Sequence, residues 1–310
     1  MADNTVNRLG QINNTGLTDA LFLKVYAETL AAFQRTTKFM DRHYVRSIAS
    51  GKSAQFPTIG RAAARYHTPG TEITGSQIPL NEKVITVDGL LISDVSIAEI
   101  DEAMAHYDVR SEFTRQLGEA LAQEFDRNVA RTGIQAARSA AWHASLPGGT
   151  RLVVPTAKTS GIDLAASIFS AGVTLDENDC PESDRYAFVK PVQYALLVQE
   201  TKNINKDWAG AGSYADGTIQ KINDIEIVKA NTLPTTNVTG TFNNKYNVDA
   251  SSTAALVMHR TAVGTVKLID MKMGAEWSER RQSTLLVAKN AVGHGVLRPE
   301  AAVEVATAEL

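Results

Sequence analysis

The sequence contains a single cysteine, Cys180, among 310 residues, and this scarcity excludes an internal disulfide framework. A lone thiol is typical of proteins that stay in a reducing cytoplasm. No run of about 18 uninterrupted apolar residues occurs, so the sequence predicts no transmembrane helix. The first residues, MADNTVNRLG, have no apolar core of the signal-peptide type. We therefore expect a protein that is made in a cytoplasm and does not enter a membrane.

An excess of basic charge is also missing. The net charge of -3 and the pI near 6.1 argue against a protein that coats nucleic acid generally. Residues 1–66 nevertheless hold nine Lys or Arg and four acidic residues, so this segment carries 9 − 4 = +5 and the remainder −8. The asymmetry indicates either a segment that meets an acidic partner, a subunit or nucleic acid, or ordinary surface variation.

Recognisable catalytic and metal-binding motifs are absent as well. Residues 50–53 (SGKS) resemble the end of a phosphate-binding loop, but Arg46 occupies the position where that loop needs its first glycine. Cys180 has no cysteine or histidine near it in the sequence, which leaves a zinc site unsupported. His294 lies between two glycines, which fits a catalytic histidine in a tight loop or, more simply, a glycine turn. The sequence therefore predicts a structural protein without a cofactor, not an enzyme.

A β-rich segment at residues 50–90 is the first positive feature. Short β-like pieces at 55–59, 65–67 and 83–87 alternate with proline and glycine. Few large apolar residues occur between Phe56 and Leu80, and a two-stranded excursion with so little core is marginal in water. We therefore expect this hairpin to lie on another surface, for which a second subunit is a candidate.

The strongest local pattern is helical and runs from residue 100 to about 137. Apolar residues recur every four positions at Phe113, Leu117, Leu121, Phe125 and Val129. This spacing predicts one slanted apolar stripe on an otherwise charged helix. Residues 108–137 would form a helix about 45 Å long, which indicates a strut packed on a sheet.

The remaining pattern completes an α+β fold. Helices are predicted at 18–36, 163–173 and 191–200, and strands at 184–190, 225–228, 254–258, 276–287 and 303–306. Residues 263–268 fit a helix or an extended piece. Loops are predicted at 204–217 and, because it is rich in Thr and Asn, at 231–253, which we expect to be long and mobile.

Seven blocks of the sequence are similar to the major capsid proteins of short-tailed bacteriophages of the T7-like (autographivirus or podovirus) type. They are ALFLKV at 20–25, RSIASGKSAQFP at 46–57, EKVITVDGLL at 82–91, HYDVRSE at 106–112, QLGE at 116–119, MHRTAVGTVKL at 258–268 and GHGVLRPEAA at 293–302. The blocks run in order across nearly the whole chain, although residues 140–255 match weakly. The blocks are specific for this family only when taken together, since no single block is a chemical motif.

The resemblance implies the tailed-phage major capsid fold of the Hong Kong 97 type. On this fold, residues 1–50 would form an N-terminal arm and residues 51–90 an extended β-hairpin loop. Residues 91–154 and 261–310 would form a peripheral domain with the long spine helix, and residues 155–260 an axial domain. The hairpin without its own core and the one-striped strut agree with this assignment.

The resemblance also implies the function. Identical chains would assemble into hexamers and pentamers of an icosahedral virion capsid, built in the bacterial host cytoplasm around double-stranded DNA. The expected partners are the chain itself, a scaffolding protein, a portal protein at one vertex and decoration or head-fibre proteins, with weak, non-specific DNA contact. The alternatives are a soluble nucleic-acid-binding module that uses the basic arm, and an enzyme with an unrecognised site.

Two sets of residues are candidates for contacts. We predict that the hairpin clamps a neighbouring subunit through arginines that face acidic residues on the neighbour's spine helix. This set consists of Arg61, Arg65, Glu112, Glu119, Glu124 and Asp126. Basic residues of the arm would touch either packaged DNA or acidic patches on neighbours. This second set consists of Arg35, Lys38, Arg42 and Arg46.

Overall fold

The computed structural model describes residues 37–62, 64–73, 75, 77–104, 109–143, 146–200 and 221–309. The described α-helices are α1 (Glu99–Met104), α2 (Val109–Ala137), α3 (Gly161–Glu177) and α4 (Pro191–Gln199), and short 3-10 helices lie at Phe242–Asn244 and Pro299–Ala301. The described strands are β1 (Tyr44–Ser47), β2 (Ser53–Ile59), β3 (Leu80–Thr86), β4 (Leu91–Ala98), β5 (Thr150–Val153), β6 (Arg185–Val189), β7 (Lys221–Ile222), β8 (Ile225–Lys229), β9 (Asn237–Val238), β10 (Val248–Asp249), β11 (Thr253–His259), β12 (Val263–Ser278), β13 (Ser283–Val296) and β14 (Ala302–Ala306). The helix predicted at 18–36 and the loop predicted at 204–217 lie outside the described residues.

The chain divides into two compact units. Within the described ranges, the first unit comprises residues 37, 88–125 and 268–292, and the second comprises residues 38–87, 126–267 and 293–309. Helix α2 and strands β12 and β13 contribute residues to both units. The units follow different boundaries from the arm, hairpin, peripheral and axial segments expected from the resemblance, and that four-part division stays a prediction.

The first unit is a helix on an antiparallel strand pair. Strands β4 and β13 pair from Ser283 opposite Ala98 to Asn290 opposite Leu91. The stripe of α2 packs on this pair, and the cluster consists of Ile97, Leu117, Leu121, Leu286 and Ala288, with Phe113 partly buried beside it. The four-residue spacing thus predicted both the helix and the face that it buries.

The second unit is built on a six-stranded mixed sheet in the order β5-β14-β11-β6-β8-β7. The central strand β11 is buried at every position, as expected from its apolar run AALVM at 254–258, although the polar Thr253 and His259 at its ends are buried too. Helices α3 and α4 cover the sheet, and Leu164, Ile168 and Leu197 are fully buried against it. Ser160 accepts a hydrogen bond from the Asp163 N–H and so caps the start of α3. The predicted helices and strands of this region are confirmed, with shifts of a few residues at their ends.

The hairpin base differs from the prediction because it packs on its own chain. Strands β2 and β3 pair from Ser53 opposite Thr86 to Ile59 opposite Leu80. Alternate residues of β2 point inward, and Ala54 and Phe56 pack with Val266 and Leu297 of the same unit. The base therefore lies on another surface, as expected, but that surface belongs to its own chain, so no second subunit is needed to cover it. The β-like piece predicted at 65–67 is wrong, because these residues are irregular and exposed.

Two other expectations fail for identifiable reasons. Residues 231–253 are not a loose loop, because Leu233 and Tyr246 are only 1% and 2% exposed and β9 pairs with β10. The buried side chains of Leu233 and Tyr246 therefore fix a segment whose Thr and Asn content suggests a mobile loop. The single strand predicted at 276–287 is interrupted by a turn, in which Arg281 N–H donates to the Ser278 carbonyl and Gln282 has φ 48°. The extended alternative for residues 263–268 is confirmed by β12.

Candidate inter-subunit surfaces

Residues 60–79 lie beyond the paired strands of the hairpin, and we call this segment the hairpin tip. The described part of this tip and its rim are exposed almost throughout, and they include large apolar side chains. These are Ile59, Tyr66, Ile73, Ile78 and Leu80. Apolar surface of this kind on a slender projection is typical of a contact surface.

The two arginines of the predicted clamp have different surroundings. Arg61 lies at the start of the tip and pairs with Asp179 of its own chain, 2.7 Å away. It also donates to the Asn178 carbonyl at 3.0 Å. Both partners of the ion pair are exposed, so the pair contributes only about 0–1 kcal/mol. Arg65 is exposed on the tip. Arg61 therefore has a partner within the subunit, which the sequence did not indicate.

Two of the predicted acidic residues form an ion-pair group on α2. Arg115 contacts Glu112 at 2.5 Å and Glu119 at 2.7 Å, at spacings of three and four residues. The hydrogen bond to Glu112 raises the pKa of the Arg115 guanidinium above its ordinary value. Glu124 is half-buried further along the same helix. Carboxylates that are already neutralised by Arg115 are weaker partners for a neighbour's arginine than the sequence suggests.

Asp126 is a correction to the predicted clamp. Its side chain is buried, not presented on the charged side of the helix. It accepts backbone hydrogen bonds from Lys38 N–H at 2.6 Å and from Phe39 N–H at 3.4 Å. Burial raises the pKa of Asp126 to about 6, although both N–H groups act in the opposite direction. The chain leading into β1 covers this part of α2, so Asp126 holds that segment and is not available to a neighbouring subunit.

The basic residues assigned to the arm are also largely engaged within the chain. Arg42 pairs with Glu226 at 2.9 Å and lies over the Tyr186 ring, with 5.3 Å from its guanidinium carbon to the ring centroid. Arg46 donates to the Gln55 carbonyl at 3.2 Å and is exposed. The half-buried Lys38 is held through its backbone N–H by Asp126. Arg35 lies outside the described residues. Arg42, which is engaged by Glu226 and Tyr186, is therefore a weaker candidate for DNA contact than its sequence position suggests.

A buried charged network that sequence reasoning missed joins the end of α2 to the sheet. Glu304 on β14 is fully buried and accepts two hydrogen bonds of 2.7 Å from Arg138. Its Oε1 also accepts from the Thr253 hydroxyl at 2.6 Å. A two-point arginine–carboxylate contact fixes orientation as well as adding attraction. The partners lie 166 residues apart, so no local pattern could have revealed them.

The described residues offer little chemistry for catalysis. No group of three or more His, Cys, Asp or Glu there could hold a metal ion. Burial raises the pKa of the Cys180 thiol, which disfavours the reactive thiolate. His294 does not lie in a glycine turn but within β13, near the end of that strand, and it is buried. Among the described helices, none is both long and apolar enough to cross a membrane.

The fold and the exposed hairpin tip are those of one class of proteins, which share the tailed-phage capsid fold of the Hong Kong 97 type. A chain in the mature capsid of bacteriophage PhiM1 matches with a TM-score of 0.79 at 18% identity, over 98% of this chain and 97% of that one. A chain in the capsid structure of cyanophage P-SCSP1u matches with a TM-score of 0.85 at 46% identity, over 100% of both chains. The fold predicted from the sequence is confirmed.

The family follows from sequence comparison. The model of the Gp10A-like major capsid proteins matches residues 55–306. The major capsid protein of Escherichia phage T7 is 37% identical over 313 aligned residues, which cover 91% of this chain and 90% of that protein. The major capsid protein of Enterobacteria phage T3 is also 37% identical, with coverage of 91% and 90%. The chain belongs to the Gp10A-like family of major capsid proteins, as its sequence blocks predicted.

Proposed function

We propose that this chain is the building block of an icosahedral phage shell, in which copies form hexamers and pentamers around double-stranded DNA. The observation that carries the proposal is family membership across residues 55–306, joined to an exposed, partly apolar hairpin tip. A shell subunit must present such surface, because each copy contacts several others. The residues act through packing and charge, with no reaction step and no cofactor.

The segments are assigned as the resemblance implied. Residues 51–90 would reach over a neighbour, residues 91–154 and 261–310 would form the peripheral domain, and residues 155–260 would form the axial domain near the symmetry axes. The long helix α2 and the exposed tip support this division. Residues 1–50 would be the arm, of which residues 37–50 are described.

We retain the clamp in a revised form. Arg65, rather than Arg61, is the tip cation directed to a neighbour, since Arg61 already pairs with Asp179. Glu112, Glu119 and Glu124 remain candidate partners on α2, and Asp126 is removed. The exposed apolar residues of the tip would supply most of the contact, because an exposed ion pair contributes only about 0–1 kcal/mol. Repetition around every hexamer would make this small contribution count in assembly.

The remaining partners follow from the shell. A scaffolding protein would set its curvature, a portal protein would occupy one vertex, and decoration or head-fibre proteins would bind outside. Assembly would take place in the bacterial host cytoplasm. DNA contact would be weak and non-specific, because the chain carries a net charge of -3 and packaged DNA must leave again.

The test is assembly of the full chain. It is expressed alone and with its phage's scaffolding protein, and the products are sedimented and imaged in negative stain. Closed particles of tens of nanometres are the expected result. A small soluble species with a saturable small-molecule pocket would favour the enzyme alternative. Subunits that bind DNA at sub-micromolar affinity in physiological salt, weakening steeply as salt rises, would favour the nucleic-acid-binding module.

The revised clamp has its own matched pair of variants. Arg65→Ala should lower shell yield while the unassembled subunit keeps its circular dichroism and melting temperature. Arg61→Ala should break the contact to Asp179 and have the smaller effect on yield. Equal yields for Arg65→Ala and the unmodified chain would remove Arg65 from the clamp.

A further inference from the structure

A buried junction joins the chain entering β1 to strands β12 and β13 and to the loop that precedes β10. His43, Thr265 and His294 are at most 1% exposed. His43 Nε2 lies 2.8 Å from Thr265 Oγ1, and the same oxygen lies 2.8 Å from His294 Nδ1. The backbone N–H of His294 donates to the Tyr246 hydroxyl at 3.1 Å. Three side chains thus form a continuous hydrogen-bonded row that the shell function does not explain.

The direction of each hydrogen bond in the row follows from its first member. His43 Nδ1 lies 2.6 Å from the Phe39 carbonyl, which can only accept, so Nδ1 carries the proton. In neutral His43, Nε2 then accepts from the Thr265 hydroxyl. Thr265 has only one proton to give, so its oxygen accepts from His294 Nδ1–H. Both imidazoles are therefore neutral Nδ1–H tautomers, and all the bonds point one way.

The hairpin is tied to the same place by close packing. A Cβ at residue 293 would lie 2.1 Å from the Thr86 carbonyl oxygen, and a Cβ at residue 295 would lie 2.8 Å from Ile85 Cγ1. The glycines on either side of His294 therefore let the end of β3 cross directly over β13. Lys245, next to Tyr246, donates to the Thr86 carbonyl at 3.1 Å. The hairpin root, residues 80–88, thus rests on the strand that carries His294.

The surroundings of the row oppose a positive charge. The pKa of His43 is lowered from 6.5 to about 4, mainly by burial; the Phe39 carbonyl and Asp41 oppose this shift, and the nearby Lys267 and Arg260 add to it. Burial also lowers the pKa of His294, with smaller contributions from His43 and Lys245. A proton on His43 would also take away the lone pair that accepts from Thr265, so one protonation disturbs every bond in the row.

We propose that the row His43–Thr265–His294 is an acid-sensitive coupling between the arm root, residues 37–47, and the hairpin root. Protonation of His43 removes the acceptor of the Thr265 hydroxyl proton. The hydroxyl must then reorient, which weakens the hydrogen bond that it accepts from His294 Nδ1–H and that orients His294. His294 lies beneath the hairpin root, so both roots loosen in one step. The consequence for a shell rests on the function proposed above, since both segments would change position together. The coupling itself is a property of the single subunit.

Hydrogen–deuterium exchange of the full-length, unassembled subunit tests the proposal, with rates corrected for the intrinsic effect of pH. In the unmodified chain, protection of the arm root and the hairpin root should fall with one shared midpoint near pH 4. Above the midpoint, protection should drop about tenfold for each pH unit of acidification, the slope of one proton, and it should level off once His43 is protonated below about pH 4. Two separate midpoints would overturn the proposal.

Matched variants locate the coupling in the row. Thr265→Val keeps the shape of the side chain but removes the hydroxyl, and it should separate the two midpoints. Thr265→Ser keeps the hydroxyl and should retain one midpoint. His259→Gln changes a histidine whose Nδ1 contacts Thr261, outside the row, and should also retain one midpoint. A Thr265→Val subunit that keeps the shared midpoint would contradict the proposal.

Exchange at the histidine C2 positions gives a second readout that needs no variant. His43 should titrate near pH 4 and at the same pH as the loss of backbone protection. Titration of His43 near 6.5, or loss of protection without its titration, would contradict the coupling. Either failure would leave shell assembly untouched, so the two proposals are tested separately.

Discussion

Replacement of Gly293 by alanine should displace the hairpin. The added Cβ would lie 2.1 Å from the Thr86 carbonyl oxygen and 2.9 Å from Val87 Cα, whereas ordinary contacts lie at 3.4–4 Å. The strands must therefore separate by about 1 Å, and the obstructing atoms are backbone, which cannot rotate away. Overpacking of this kind costs about 1–3 kcal/mol, and we expect the upper end for Gly293→Ala.

Gly274→Ala is the matched control, because it also changes a strand glycine. A Cβ at residue 274 meets nothing within 4 Å. With ordinary backbone angles, alanine there should be neutral or stabilising by up to about 1 kcal/mol, since it restricts the unfolded chain. Urea unfolding of the unassembled subunit measures both variants. If Gly293→Ala is as stable as Gly274→Ala, the close crossing of β3 over β13 is refuted.

Three further outcomes are expected. Asp126→Ala should lower the free energy of unfolding by about 1–3 kcal/mol, because the Lys38 and Phe39 N–H groups lose their acceptor. Asp126→Asn keeps an acceptor oxygen and should lower it by less. Equal losses for the two variants in urea unfolding would contradict this. His43 is neutral in the folded chain down to about pH 4 but binds a proton below 6.5 when unfolded, so stability should fall as the pH drops from 6.5 to 4, by up to about 3 kcal/mol. Asp126, with its pKa raised to about 6, acts in the opposite direction over part of this range, so this loss is measured in the Asp126→Asn background, where a flat profile would refute it. Finally, residues 57–82 contain no lysine and the chain has one cysteine, so boiled, non-reduced shells should run as a single band near 33.4 kDa, and a ladder would reveal covalent links.

Local periodicity explains what could be predicted. Helix α2 and its buried stripe through Leu117, Leu121 and Phe125 follow from a four-residue repeat, which no distant contact needs to establish. The strand β11 follows from a short apolar run. The tailed-phage fold itself came from the resemblance, since periodicity alone indicated no more than an α+β arrangement.

The residues whose surroundings were predicted wrongly make their contacts with residues that are distant in the sequence. Asp126 reads as a surface carboxylate of a charged helix, but the chain at Lys38 and Phe39, more than 80 positions away, covers it. Tyr246 stands among Thr and Asn residues, yet its ring and hydroxyl are held by His294. In both places the tertiary contact overrides the local composition, and a single sequence carries no signal of it.

The most direct test of the shell assignment is a cryo-EM reconstruction of particles assembled from the full chain and its scaffolding protein. We expect pentamers and hexamers of this fold, with residues 60–79 of each subunit in contact with a neighbour. Particles in which the tip touches only its own subunit would contradict the clamp. Failure of the chain to appear as the repeating unit of any closed particle would contradict its assignment as a shell subunit.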